Sequence, residues 1–388
     1  VVRAVAGCER AGGSWPLWLV GAVLFGLSVL LAPAAGPDDR VPGPAAELDR
    51  LEQAFQSVLQ RVAPSVVGIR AVRQQSLGYS PTADGEGGQL EQSVVVNGAG
   101  TVLSPDGLIL TNEHVVHGAS EIRVFFWDGR QSPALVVSAD PRSDLAVLQV
   151  SPSDLQPAVL CDWDTVARGQ WVVVLGNPFG LGQDGRLSVS VGIVANLGRQ
   201  LPGLGEEDDR FYCDMVQVTA PIHPGNSGGP LFNLHGELLG VVTAMHTRGA
   251  ADQGIGFAIP LTPAKRRVIE ALCRGQTIEY GYLGATVRAP NAAERMLLSS
   301  SQGVVVQEVD PDGPAQQAGI RVDDVILAYQ EEPVRGPAHL AELVGQSPVR
   351  ASVRLAVWRE GRTMTITATL GRRDGQRVAI LRQRAAGP

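Results

Sequence analysis

The sequence predicts a mainly β protein of barrel or sandwich type, on three observations. Glycine and proline are abundant, at 46 and 26 of 388 residues, while aromatic residues make up only 5%, a composition that favours many turns between short strands. Short runs rich in Val, Ile and Leu recur at 66–72, 94–103, 108–111, 122–126, 145–150, 171–175, 187–194, 215–218 and 238–245. Turn signals stand between them, among them Asp106-Gly107 and Gly228-Gly229. The length exceeds a single core of usual size, so two folded units plus extras are expected.

Charge and cysteine usage remove several function classes. A formal charge of −7 with no long basic run provides no electrostatic footprint for a polyanion, so nucleic acid is not an expected partner. Cys8, Cys161, Cys213 and Cys273 lack the paired spacing of metal ligands. We expect no metal site and no cofactor, and read the cysteines as buried thiols, with a Cys161–Cys213 disulfide as the alternative in an exported chain.

Residues 15–35 form an almost unbroken apolar run without charge, long enough to span a hydrocarbon core of about 30 Å. Arg3 and Arg10 precede it and Asp38 and Asp39 follow, which places the N-terminus in the cytoplasm and the rest outside. Residues 1–36 are expected to be a cytoplasmic stub and retained anchor, the alternative being a cleaved signal peptide. Residues 37–64 follow as a proline-rich tether and one amphipathic helix, with Leu48, Leu51, Phe55, Val58 and Val62 at spacings of three and four before Pro64. Two stretches, 74–93 and 199–210, interrupt the strand rhythm as loops, the second carrying Glu206, Glu207, Asp208 and Asp209. A helix at 263–273 ends the first unit. A second begins near Glu279 and holds mixed strands with two helices, near 314–318 and 337–345, in a small partly open barrel. The tail from Arg372 lacks periodicity and is expected to hang free.

Amide hydrolysis without a metal needs a nucleophile, a base, a group that orients the base, and donors for the oxyanion. Ser227 lies within Pro224-Gly225-Asn226-Ser227-Gly228-Gly229-Pro230, where glycines let backbone amides converge on one point. The N–H groups of Gly225 and Ser227, with Asn226 between them, are the candidate oxyanion hole. His114 directly follows the run 108–111 and precedes Val115 and Val116. His117, His235, His246 and His339 have weaker contexts, and His223 lies only four residues before Ser227. Asp144 opens the run 145–148, while Asp140-Pro141 better suits a turn. The order His114, Asp144, Ser227 is the chymotrypsin-type order.

Several blocks in fixed order resemble the HtrA (Deg, or peptidase Do) serine proteases: Asn97-Gly98-Ala99-Gly100-Thr101, Thr111-Asn112-Glu113-His114-Val115-Val116, Asp144-Leu145-Ala146-Val147-Leu148, Leu175-Gly176-Asn177-Pro178-Phe179-Gly180, the serine loop, and Ile255-Gly256-Phe257-Ala258-Ile259-Pro260. The resemblance runs from about residue 62 to 370. It implies a trypsin-like double β-barrel protease domain at 65–274 and one PDZ domain at 279–372, which leaves 373–388 as the flexible tail expected from its lack of periodicity. Ile222 and Ile255 would wall an S1 pocket for small aliphatic side chains, and Gly281, Tyr282, Leu283 and Gly284 would capture a peptide carboxylate.

Anchor, protease and a single PDZ domain together are similar to the DegS branch of inner-membrane stress sensors. That likeness implies an ATP-independent periplasmic homotrimer joined through the helix at 48–62 and activated by C-terminal peptides at the PDZ domain. Its substrates would be unfolded or membrane-tethered proteins, including a transmembrane anti-sigma factor. The rival class is a catalytically silent PDZ sensor or holdase. Three positions depart from the family pattern: Thr219 where Asp is usual, His223 where Asn is usual, and Glu279-Tyr280 where a basic residue commonly precedes the carboxylate loop.

Overall fold

The computed structural model describes residues 44–80, 88–152, 154–201, 210–212, 214–243, 255–298 and 302–372. The apolar run 15–35, the acidic cluster 206–209, Cys213 and the tail 373–388 lie outside the described residues. The chain groups into two units, Val1–Arg50 and Leu51–Pro388. The first contains, among described residues, only the start of helix α1 (Pro44–Val62). No helix among the described residues is long and apolar enough to cross a membrane.

Six strands follow α1: β1 (Val66–Ser80), β2 (Gly88–Val102), β3 (Leu108–Thr111), β4 (Glu121–Phe126), β5 (Gln131–Asp140) and β6 (Leu145–Val150), with the single-turn helix α2 (Glu113–Val116) after β3. They close into a barrel in the order β1-β2-β3-β6-β5-β4. Alternate positions point inward, so Val67, Ile69, Ile109, Val124, Phe126, Ala146 and Leu148 fill the interior. Of the stretch 74–93, expected as a loop, the described residues 74–80 and 88–93 instead prolong the β1–β2 ladder: Gln74 pairs with Ser93, Gln75 with Gln92, and Ser80 with Gly88. Apolar alternation marks burial rather than pairing, and a two-stranded ribbon can pair without it. Strand β5 escaped the sequence pattern for a related reason. Its inward residues are Ser132 and Ala134, while Leu135 and Val136 face solvent.

A second set comprises β7 (Val159–Leu160), β8 (Trp171–Gly176), β9 (Ser188–Arg199), β10 (Met215–Val218), β11 (Pro230–Asn233), β12 (Glu237–Thr243) and β13 (Gly256–Pro260). The order β11-β8-β9-β10-β13-β12 closes because β12 also pairs with β11, and β7 adds to β12 in parallel. Between the two barrels lies a shared core: Leu110, Leu145 and Val147 meet Val173, Met215, Phe232, Leu238 and Val241. Helix α3 (Pro263–Cys273) contributes Ile269 and Leu272 to it, after an N-cap in which Thr262 Oγ1 accepts from Lys265 N at 3.3 Å. Cys161 is a free, buried thiol; burial raises its pKa.

The remaining strands are β14 (Gly281–Tyr282), β15 (Ala285–Arg288), β16 (Val304–Val309), β17 (Val325–Tyr329), β18 (Glu332–Pro333), β19 (Ser352–Arg359), β20 (Arg362–Thr369) and β21 (Gly371–Arg372). They form a sheet β15-β16-β17-β19-β20, with β18 on β17 and a separate β14–β21 pair. Helices α5 (Pro314–Gln317) and α6 (Pro337–Gln346) stand where the sequence places them. A further helix, α4 (Ala292–Leu298), makes three among the described residues rather than two. None of its residues is buried, so it carries no core-facing period. Its signal is a capping box, with Glu294 N on Asn291 Oδ1 at 2.9 Å and Asn291 N on Glu294 Oε2 at 2.7 Å.

The apolar stripe of α1 divides. Val58 and Val62 are buried in the shared core with Phe55 and Leu59 against them, whereas Leu48 is 67% exposed. Val62→Ala should therefore cost about 1–3 kcal/mol in urea unfolding, while Leu48→Ala should stay within about 0.5 kcal/mol; equal losses at both positions would contradict this placement. Gly228 has φ +82°, and a Cβ there would clash with Thr111 Oγ1 and Ala99 O on the first barrel. Gly228→Ala should destabilise by about 1–3 kcal/mol from overpacking, with left-handed strain in addition, and a neutral result in the same assay would show that the seam is looser than described.

Candidate active site at the barrel seam

Register brings two of the candidate residues together. On adjacent strands Thr111 pairs with Ala146 and Leu110 with Val147, so the residues just beyond those ends, His114 and Asp144, become neighbours. Asp144 adopts φ +56° at the β5–β6 turn, a left-handed conformation that aspartate tolerates better than most residues. Its carbonyl accepts from Glu113 N at 3.1 Å and Asn112 Nδ2 at 2.9 Å, while its carboxylate accepts from His114 N at 3.0 Å. The imidazole completes the contact, with Nδ1 2.8 Å from Oδ2 and 2.9 Å from Oδ1. A carboxylate only accepts, so the proton resides on Nδ1 and Nε2 is left as the basic nitrogen. Asp140 serves the turn, accepting from Ser143 N at 2.9 Å.

Ser227 comes from the second barrel. Asn226 N donates to His223 O at 2.9 Å and Gly225 has φ +100°, an arrangement matching a type II turn with Pro224 and Gly225 at its centre. Gly225 O accepts from Asn177 N at 3.1 Å, fixing the turn on the β8 side. Ser227 is 5% exposed, and its carbonyl accepts from Ala99 N of β2 at 2.8 Å. With Gly228 against Thr111 and Asn112, the serine loop is held at the strand end that leads into His114. Ile222 covers Gly256 at the start of β13, adjacent to Ile255, which is 41% exposed. At the first departure from the family pattern, Thr219 Oγ1 accepts from Ile193 N at 3.0 Å and so takes part in the β9–β10 contact.

Two residues beside Asp144 had no local sequence signal. Tyr212 Oη donates to Asp144 Oδ2 at 2.9 Å. Arg210 Nη2 donates to Glu113 Oε2 at 2.8 Å, and its Nε lies 3.5 Å from Asp144 Oδ1. Burial first, and then the Asp144 charge, push the Tyr212 pKa far up, so it remains an O–H donor. Burial alone would lower the Arg210 pKa, but the bond to Glu113 and the Asp144 charge outweigh it and hold the group above its ordinary value. Arg210 and Tyr212 follow a polar stretch without periodicity, and only the tertiary fold brings them to Asp144.

Gly281, Tyr282, Leu283 and Gly284 are separate from this site. Leu283 is buried and Gly284 has φ +77°. With Val287 of β15 and Leu340, Ala341 and Val344 of α6 they line a cavity of about 110 Å³, which Arg142 also borders. Strand β15 is an edge of its sheet. Glu279, one of the departures, is paired with Arg372 at 3.1 Å.

Comparison with known proteins agrees with this architecture. A family described as trypsin-like peptidase domain matches residues 98–241, and one described as PDZ domain matches 305–359. A probable periplasmic serine endoprotease DegP-like of Halomonas elongata is 33% identical over 82% of this chain and 70% of that protein. A namesake from Pseudomonas fulva is 37% identical over 78% of this chain and 61% of its own length, and the DegP of Salmonella typhimurium is 38% identical over 74% and 59%. The chain thus spans about three-fifths of the length of the latter two. Among solved structures, the HtrA-type protease AlgW with tripeptide superposes with a TM-score of 0.67 at 31% identity, covering 82% of this chain and 97% of that one. The serine endoprotease from Yersinia pestis gives 0.58 at 29% identity, covering 86% and 100%. With its paired barrels, its C-terminal PDZ domain and these relatives, the chain belongs to the HtrA family of trypsin-like serine proteases.

Proposed function

We propose that the chain is an ATP-independent serine endopeptidase of the bacterial envelope, with Ser227 as nucleophile, His114 as general base and acid, and Asp144 orienting the imidazole. The observation that carries this reading is the fully buried Asp144 carboxylate on His114 Nδ1, at the seam where the Ser227 carbonyl is bonded to Ala99. His114 Nε2 takes the Ser227 Oγ proton as Oγ attacks the peptide carbonyl. The electron pair moves onto the carbonyl oxygen, where Gly225 and Ser227 N–H groups receive it. Collapse breaks the C–N bond, the leaving amine takes the proton from His114, and water repeats the sequence to release the acyl group.

In this reading residues 65–274 are the protease unit, with Ile222 and Ile255 walling S1, and residues 279–372 are the peptide-binding unit. The groove between the Gly281–Gly284 loop, the β15 edge and α6 suits a C-terminal peptide added as a strand, and the AlgW structures with bound peptides are in keeping with that. The exposed N-terminal half of α1 offers an apolar face for a homotrimer. The run 15–35 would hold the assembly at the inner membrane with its folded units in the periplasm. Substrates are unfolded or membrane-tethered proteins, in stress response and quality control.

A second reading, a PDZ sensor or holdase without turnover, is favoured by the departures at Thr219 and His223 beside the serine loop. Ser227→Ala should lower turnover of an unfolded protein by at least about 1000-fold while circular dichroism stays native. In the wild type a fluorophosphonate should label Ser227 in the presence of hydrophobic C-terminal peptides. Undiminished turnover in the variant, or a wild type that stays unlabelled with those peptides present, would put the second reading in place of the first.

A further inference from the structure

Around the His114–Asp144 pair stand three side chains to which the proposed mechanism gives no task. We propose that Arg210 and Tyr212 are positioning residues for Asp144, and that Glu113 sets how much of the Arg210 charge Asp144 feels. The proposal rests on the reading of His114, Asp144 and Ser227 given above.

Glu113 directly precedes His114, and its side chain is 4% exposed. One of its oxygens accepts from Arg210 Nη2 at 2.8 Å and the other meets His117 Nδ1. Arg210 is itself 13% exposed, and its Nε approaches Asp144 Oδ1 only to 3.5 Å. Tyr212 donates at 2.9 Å to Asp144 Oδ2, the oxygen that lies 2.8 Å from His114 Nδ1. The backbone of this segment is fixed to the β5–β6 turn, because Phe211 N donates to Arg142 O at 2.9 Å. The Arg142 guanidinium in turn lies 4.9 Å over the Phe211 ring.

A cation beside an orienting carboxylate has two opposed effects. It holds the carboxylate in place, and it withdraws from the neighbouring imidazole the negative charge that stabilises the imidazolium formed during proton transfer. The distances resolve the conflict. The nearer contact of Arg210 is with Glu113, so much of its charge is taken up there, while the guanidinium still flanks Asp144. Direct hydrogen bonding to Asp144 falls to Tyr212, a neutral donor that orients the carboxylate without cancelling its charge. Glu113 therefore acts through Arg210, and Arg210 and Tyr212 act through Asp144; none of the three touches the substrate.

The test uses the full chain with an unfolded protein substrate and the variants Arg210→Gln, Arg210→Lys, Tyr212→Phe, Glu113→Gln and the double Glu113→Gln/Arg210→Gln. Arg210→Gln and Tyr212→Phe should each lower kcat by about tenfold with KM changed less than about twofold, and should broaden or shift the downfield proton resonance of His114 Nδ1–H. Arg210→Lys should recover part of the loss. Glu113→Gln turns the Arg210 charge onto Asp144 and should lower kcat, whereas the double variant, with both charges gone, should exceed Glu113→Gln alone. Wild-type kcat and an unchanged resonance in Arg210→Gln and Tyr212→Phe would overturn the proposal, as would losses confined to KM or a double variant equal to the product of the singles. If Arg210→Gln fails to fold by thermal denaturation, Tyr212→Phe, which removes one oxygen, decides by the same readouts. Controls in Ser227→Ala and His114→Ala separate the two levels: if they retain turnover the site reading itself fails, and if they lose it while Arg210→Gln and Tyr212→Phe match the wild type, only this inference fails.

Discussion

A carboxylate with no surface in water is costly to bury unless donors meet its oxygens, and satisfying Asp144 organises the site around it. The left-handed backbone at Asp144 turns its carbonyl toward Asn112 and Glu113 and its carboxylate toward His114. One residue thus fixes both the main chain of the single-turn helix α2 and the ring of the histidine at its start. Tyr212 closes the remaining side. The imidazole has little freedom left, and in the proposed mechanism pre-positioning of this kind removes reorganisation from the proton transfer.

The serine loop is held against the first barrel by main-chain contacts across the seam. Ala99 N on Ser227 O ties β2 of the first barrel to the turn before β11 of the second, and Gly228 N on Val242 O anchors the same turn to its own barrel. Side chains at those points would separate the barrels, so Gly98, whose absent Cβ would meet Val115 and Ser227 O, and Gly228 set how closely they approach. The shared core behind them, from Leu110 and Leu145 to Phe232 and Leu238, keeps the approach rigid, because a close-packed interior resists small displacements.

Arg142 lies between the site and the groove of the C-terminal domain. Two residues before Asp144, it is stacked between Phe211 and Tyr280, each ring centroid 4.9 Å away, and it borders the cavity formed by Gly281–Ala285 and α6. Tyr280 also donates to Asp140, which caps the turn preceding Asp144. The turn that carries the buried carboxylate is therefore packed directly against the linker that begins the PDZ domain. Neither contact has a sequence signature, because residues 142, 211 and 280 are far apart in the chain.

Local sequence by itself determined the barrel strands whose inward residues are large and apolar, the glycine-rich turn at Ser227, and the placing of His114 and Asp144 at strand ends, since each depends on neighbours within a few residues. It missed β5, whose inward positions are Ser132 and Ala134, and misread 74–80 and 88–93, where pairing continues without an apolar period. Tertiary structure alone decided that Thr111 pairs with Ala146 and so joins His114 to Asp144, that α1 buries Val58 and Val62 but leaves Leu48 in water, and that Arg210 and Tyr212 reach the Asp144 carboxylate, with Glu113 paired to Arg210. The physical reason is common to all three: burial and charge pairing are set by which surfaces meet in space, whereas periodicity and turn chemistry report only what a segment can do alone.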